Sequence, residues 1–338
     1  MHFKAAAIDL GFGQTKWAVR LDDEIVTGSF SSLAPAASAN TVSTNLGNFA
    51  QRNTIKVNID GAWFEVGPDV HLAMGGTNSG RVLSEDFPKS KNYKALLFCA
   101  LYYAGIDQVD VLTLGLPVHT MPLYANFLKE MFKDPVVVNG RMITVGRVIV
   151  LPQPVGSLAM FGFTNSQQIN DGNTRLVIDP GYVTTDWVVA NGFNMIDGRS
   201  GGKVGGVSHI LKHIAELISA KYGGGKFDRI ERIDDAFVSG KKFHYFKHEI
   251  GQEELESYLS SSTQVIEESV KEIKTRVGDV DDLQSILITG GGARFYEKVI
   301  KATFPMNDVH SLDQPAFTNV IGFLLVAENM QRRAVKNV

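Results

Sequence analysis

Residues 174–190, TRLVIDPGYVTTDWVVA, gather an aspartate, a glycine and two threonines around one bend. Leu176, Val177 and Ile178 lead into Asp179-Pro180-Gly181, and Thr184, Thr185, Asp186, Trp187, Val188 and Val189 carry the chain back. Apolar run, turn residues and a second apolar run predict a β-hairpin. Such a bend can offer backbone N–H groups and hydroxyls to an anion while the carboxylate faces a cation. The pattern occurs twice. Residues 9–19 read DLGFGQTKWAV and residues 179–189 read DPGYVTTDWVV, so Asp9, Gly11, Phe12, Thr15, Trp17 and Val19 match Asp179, Gly181, Tyr182, Thr185, Trp187 and Val189 at a constant offset of 170. D-x-G alone is common at turns, but six matched positions in one register, with two of the chain's three tryptophans among them, make two related halves the better explanation.

Related halves that each present such a hairpin suggest a phosphate chain held between them, with a divalent cation near Asp9 and Asp179. Magnesium takes oxygen ligands and keeps several waters, so two carboxylates touching its hydration shell suit it. Taken singly, each aspartate would be a turn cap, and the repeat favours the metal role. Lys16 stands where the second hairpin has Asp186; alone it would be a solvated strand lysine, but beside phosphates it supplies the cation that breaks the symmetry. Gly290-Gly291-Gly292 follows the apolar run ILIT and precedes a helical pattern. Backbone without side chains can approach a flat base or a phosphate closely, although three glycines can also simply cap a strand. Gln153, between two prolines in VLPQPVG, could orient an attacking water; by the residues alone it is a turn glutamine. His209 and His213 are spaced for one helix face but lack the glutamate of a zinc protease, and neither a P-loop nor a dinucleotide fingerprint is present.

The elements that must position these residues follow the same division. Three strands, FKAAAIDL, QTKWAVRL and EIVTGSF, open the chain, and residues 31–50 read as an irregular loop or the start of a small subdomain reaching to about 90. Asp60-Gly61 and Asn139-Gly140 mark hairpins. Residues 92–105 and 122–132 have helical spacing, VDVLTLGLPV is a buried strand, RVIVLPQP is a strand ending near Gln153, and SLAMFGF begins a connecting helix. A first domain over 1–160 and a second over 161–338 follow, the second with a helical insertion at about 225–250. Helices are expected at 207–222, over an unbroken 252–277, and at 316–333, the last packing back on the first domain. Strands grouped at the start of each half and then alternating with helices make the class α/β.

Composition sets the bounds. At 338 residues, 44% hydrophobic and 20% charged, the chain is an ordinary globular protein with room for two cores. A formal charge of −3 gives no reason to expect direct binding to nucleic acid or membrane. Cys99 is the only cysteine, in an apolar helical run, which excludes a disulfide framework and suits a reducing cytoplasm. The N-terminus enters a strand at once without a signal-peptide pattern, and no apolar run reaches transmembrane length.

In order, DLGFGQTK, VLPQP, VIDPGYVTTD and ITGGGA resemble the actin, DnaK-type chaperone and sugar-kinase ATPase superfamily over nearly the whole chain. The resemblance implies a duplicated, ribonuclease H-like two-domain ATPase fold with the nucleotide in a cleft between domains. It implies that Asp9, Gly11, Gly13, Gln14, Thr15 and Lys16 form the first phosphate loop, and Gly181, Thr184, Thr185 and Asp186 with Asp179 the second. It further implies that Gln153 orients water, that Gly290, Gly291 and Gly292 pack on adenosine, and that ATP and Mg2+ are the cofactors. One departure is Tyr182, where many relatives carry a second glycine. The compact length and the segment LTLGLPVHTM are most similar to StbA/ParM-type bacterial actins, which move plasmids. That implies a cytoplasmic ATPase that polymerises with itself and reaches DNA through an adaptor protein. The irregular segments 31–50 and 225–250 are the candidates for the contact between copies. A small-molecule kinase and a non-filamentous nucleotide-dependent adaptor of the same superfamily are the alternatives.

Overall fold

In a computed structural model of the chain, the described residues are 1–38, 52–74, 80–165 and 172–336. They divide into two units, 1–172 with 312–338, and 173–311. Most of the segment 31–50, one of the two expected contact segments, lies outside the described residues.

The first unit is built on an apolar strand flanked by its antiparallel hairpin partner on one side and a parallel strand on the other. Strand β1 (His2–Leu10) is buried almost throughout, as a central strand covered on both faces requires. It pairs antiparallel with β2 (Gln14–Leu21), which pairs antiparallel with β3 (Glu24–Ser31). A separate hairpin, β4 (Ile55–Ile59) and β5 (Ala62–Val66), turns at Asp60-Gly61 with both residues at positive φ. Helix α1 (Lys91–Tyr103), capped by the Ser90 side chain, leads to β6 (Gln108–Leu116). Helix α2 (Met121–Glu130), β7 (Val136–Val138), β8 (Arg141–Pro152) and helix α3 (Gln153–Thr164) follow. The six-stranded sheet has the order β3-β2-β1-β6-β8-β7, with β6 parallel to both β1 and β8. Because side chains alternate along a strand, Ala6, Ile8 and Leu10 join the core under α1 while Ala5 and Ala7 belong to a second cluster on the other face.

The second unit repeats this plan. Strand β9 (Thr174–Pro180) pairs antiparallel with β10 (Thr184–Asn191), which carries both β11 (Asn194–Met195) and β12 (Gly201–Val204). Helix α4 (Val207–Tyr222) buries Val207, Ile210, Leu211, Ile214, Ala215 and Ile218, the spacing of one helical face. Helix α5 (Glu231–Ser239) and the hairpin β13 (Phe243–Tyr245) and β14 (His248–Ile250) come next. The expectation of a helical insertion at about 225–250 is thus corrected: alternating buried Phe243 and Tyr245 against Ile250 make its last eight residues a β-ribbon.

The long helix expected over 252–277 is likewise two, α6 (Gln252–Ser261) and α7 (Thr263–Val277). They break at Ser262, in a Ser-Ser-Ser-Thr run whose hydroxyls bond carbonyls three or four residues back and compete with helical bonding. Strand β15 (Leu283–Ile288), helix α8 (Ala293–Thr303) and β16 (Asp308–Ser311) complete a sheet of order β11-β10-β9-β15-β16, β15 being parallel to β9 and β16.

The last helix, α9 (Thr318–Lys336), belongs to the first unit. Its Val320, Phe323, Leu324 and Ala327 form one cluster with Ala5, Ala7 and Val111. The units therefore do not divide once near residue 160: the chain leaves the first at 172 and re-enters it at 312 because β1 and β6 need an apolar cover that α9 provides.

The duplication extends further than the matched hairpins. Trp17 lies opposite Gly28 on β3 and Trp187 opposite Gly201 on β12. A Cβ on Gly28 would stand 2.5 Å from Trp17 Cε2, and one on Gly201 2.8 Å from Trp187 Cζ2, so in both units an indole lies flat over a bare backbone. Among the described residues no helix is long and apolar enough to cross a membrane.

Candidate functional site

The first hairpin holds its carboxylate with two neighbours. Asp9, 3% exposed, lies in register with Lys16, whose Nζ is 3.5 Å from Asp9 Oδ2. Gln153, the first residue of α3, donates from Nε2 to Asp9 Oδ1 at 2.8 Å. A buried carboxylate requires such partners, and here each oxygen has its own. The bend closes with Gly11 N donating to Gln14 O at 3.1 Å. Its carbonyls are tied back: Ser32 Oγ donates to Gly11 O at 2.6 Å, and the Arg81 guanidinium donates to Phe12 O and Gly13 O. With the negative ends of these peptide dipoles engaged, the bend favours an anion. Beneath it Phe12 stacks on Phe87 and Phe87 meets Tyr93 edge-on. Burial first, and then the charge of Asp9, pushes the Tyr93 phenol far up, so it stays neutral.

The second hairpin solves the same problem with different groups. Gly181 N donates to Thr184 O at 2.8 Å, matching the first bend. Its carbonyls accept from the start of α4 and the glycines before it: Val207 N to Gly181 O at 3.0 Å, Ser208 N to Tyr182 O at 2.8 Å, and Gly205 N and Gly206 N to Val183 O. The backbone oxygen of Tyr182 thus anchors the start of α4. Asp179 and Asp186, both buried, are cross-strand neighbours, and Thr184 Oγ1 donates to Asp186 Oδ2 at 2.8 Å. Tyr296 donates to Gly205 O at 2.8 Å, and burial, opposed by its bond to Thr185, raises its phenol.

The three glycines divide by role. Gly290 has φ +79°, and a Cβ there would overlap Asp179 Oδ1 and stand 2.9 Å from Pro180 O. Gly292 donates to Pro180 O at 2.8 Å, and a Cβ on it would stand 3.0 Å from Pro180 Cβ. Gly291 has no neighbour within 4 Å of where its Cβ would be. Gly290→Ala should therefore cost about 2–4 kcal/mol from positive-φ strain plus overpacking, while Gly291→Ala should be near neutral. Urea denaturation of the two variants checks this, and equal midpoints would refute the packing role.

The sequence-derived residues fall into two groups. Asp9, Lys16 and Gln153 meet in the first unit; Asp179, Asp186 and Gly290 meet in the second. Gly11, Gly13 and Gln14 form the first bend, and Gly181 and Thr184 the second. Thr15 and Thr185 are fully buried with hydroxyls turned into their own units, Thr15 toward Ser32 at 3.0 Å and Thr185 toward Gly205 O and Tyr296. They brace the hairpins. Ser32, Arg81, Gly206 and Tyr296 were not expected; only Gly206, in the glycine run before α4, carried a signal.

Among the described residues no group of three or more His, Cys, Asp or Glu side chains could hold a metal ion. Magnesium needs no such group, since it is held by one or two carboxylates plus phosphate and water. The donors at Asp9 and Asp179 are hard oxygens, and at Gly290 bare backbone lies where a Cβ would crowd the Asp179 carboxylate.

Residues 7–156 match the family of actin-like proteins, N-terminal domain, and residues 177–302 match the archaeal actin homologue MreB-like C-terminal family. No curated protein matches the chain by sequence. Solved structures do. The archaeal actin homolog Ta0583 in complex with ADP superposes with a TM-score of 0.75 at 20% identity, covering 97% of this chain and 100% of its own. A 15-stranded ParM filament from Clostridium botulinum gives 0.75 at 19% identity over 97% and 100%. The apo psk41 ParM protein gives 0.66 at 20% over 97% and 98%. With both halves matched to actin-like families and both built on one duplicated sheet and hairpin, the chain belongs to the actin-like proteins.

Proposed function

We propose that this chain is a magnesium-dependent ATPase that polymerises with itself when it binds ATP and disassembles after hydrolysis. The observation that carries the reading is the Asp9, Lys16 and Gln153 constellation at the base of the first hairpin. A carboxylate, a cation and a polar amide converge there beside a bend whose carbonyls are already engaged. Lys16 offers positive charge to a phosphate oxygen, and the two bends offer backbone N–H groups. Asp9 and Asp179 would hold magnesium through its water shell; the bound ion neutralises charge on the phosphate oxygens. Gln153, rigidly mounted on α3, orients the attacking water.

Filament formation is supported by relatives that include a ParM filament and the filament of AlfA from a B. subtilis plasmid. By the same likeness the polymer segregates plasmid DNA in the cytoplasm. The formal charge of −3 offers DNA no general attraction, so an adaptor protein would make the link. A nucleotide that bridges related halves can gate a head-to-tail contact, which need not close and so yields filaments.

The test is sedimentation with light scattering. ATP or a slowly hydrolysed analogue should drive pelleting above a critical concentration, and ADP should support it poorly. A protein that stays monomeric with ATP and magnesium over a wide concentration range would remove the filament reading. Turnover that depends on an added small molecule would point to a kinase.

A further inference from the structure

We propose that Phe323, on the C-terminal helix, is the positioning residue for Gln153. The inference rests on the proposed role of Gln153. Phe323 is fully buried and touches two glycines that flank that glutamine. A Cβ on Gly115, near the end of β6, would stand 2.6 Å from Phe323 Cε2 and 3.1 Å from Gln153 Cγ. The ring and the stem of Gln153 therefore crowd the same bare backbone. Gly156, one turn into α3, would place a Cβ 2.7 Å from Phe323 Cε1. The ring is thus a wedge between β6 and the first turn of α3.

Polar contacts lock the wedge in register. Ser157 Oγ lies 2.7 Å from Thr318 Oγ1 and 2.5 Å from Asn319 Oδ1, all buried. A Cβ on Gly322 would overlap Gly156 O, so α3 and α9 cross backbone to backbone. Neither helix can slide without disturbing Gln153, whose amide must reach Asp9 at 2.8 Å. Residues 312–317 join β16 directly to α9, so the helix that holds the wedge is covalently continuous with the second unit.

The test compares wild type, Phe323→Leu, Gln153→Ala and the double variant in single-turnover phosphate release, with nucleotide affinity measured in parallel. Leu324→Ala, on the same helix and equally buried, controls for general loosening. A slightly misplaced water-orienting group should slow release about 10-fold or more with affinity nearly unchanged. In the Gln153→Ala background, Phe323→Leu should add less than about twofold, because residues acting as one unit are not additive. Independently of turnover, Phe323→Leu should speed hydrogen exchange of the Gln153 side-chain amide in nucleotide-free protein by loosening its bond to Asp9, and Leu324→Ala should leave that exchange unchanged. Equal slowing with and without Gln153, or equal amide exchange in both helix variants, would overturn the proposal. If wild type does not hydrolyse ATP, the functional reading fails, and the exchange comparison still decides whether Phe323 positions Gln153.

Discussion

Asp179→Asn should reduce magnesium-dependent ATP hydrolysis by about 100- to 1,000-fold, the range seen when one electrostatic group of a preorganised site is lost. The protein should nevertheless stay folded. Asp179 and Asp186 are buried cross-strand neighbours, and like charges directly opposite one another destabilise a sheet. Neutralising one removes that repulsion while the amide keeps the shape and one oxygen. The melting temperature without nucleotide should hold or rise, and the added stabilisation from nucleotide with magnesium should shrink. Differential scanning fluorimetry with and without magnesium and ATP separates the two effects. A folded Asp179→Asn protein with near-normal turnover would eliminate the carboxylate from the metal role, and a large loss of melting temperature would make it a structural turn residue.

Gln153→Ala should slow phosphate release by roughly 100-fold, the scale of one positioned group in proton or water handling. Nucleotide affinity should change little, because the hairpin contacts to a bound phosphate remain. Filaments formed with ATP should then persist much longer before they disassemble. The variant also removes the amide that Asp9 accepts from at 2.8 Å, leaving Lys16 as its remaining named partner. A loss of stability of about 1–3 kcal/mol is therefore expected alongside. Parallel loss of affinity and rate would show that the glutamine shapes the pocket and does not act on water.

Much of the site was legible because its parts are local. A D-x-G bend between two β-branched runs needs only neighbouring residues to form, and the constant offset between Asp9 and Asp179 exposed the duplication without coordinates. Strand and helix identity followed from period: β9 and α4 read directly as a buried strand and a one-faced helix. The break at Ser262 and the ribbon at 243–250 were missed. At Ser262 short-range hydroxyl competition interrupted a helical pattern that looked continuous, and at 243–250 alternate burial set a ribbon where the pattern was weak.

What only the tertiary structure decided is which distant groups complete each bend. Gln153 reaches Asp9 across 144 residues of chain, and Arg81 caps the carbonyls of a turn it does not neighbour. No periodicity marks such pairs, since they are chosen by where the sheet places the ends of β1 and β8. The two hairpins are alike in sequence, yet one is braced by Ser32 and Arg81 and the other by the start of α4. The sequence by itself determined two equivalent bends and their carboxylates. The fold decided that Gln153 completes the first and Gly290 the second, because packing around each bend was free to diverge once its local geometry was set.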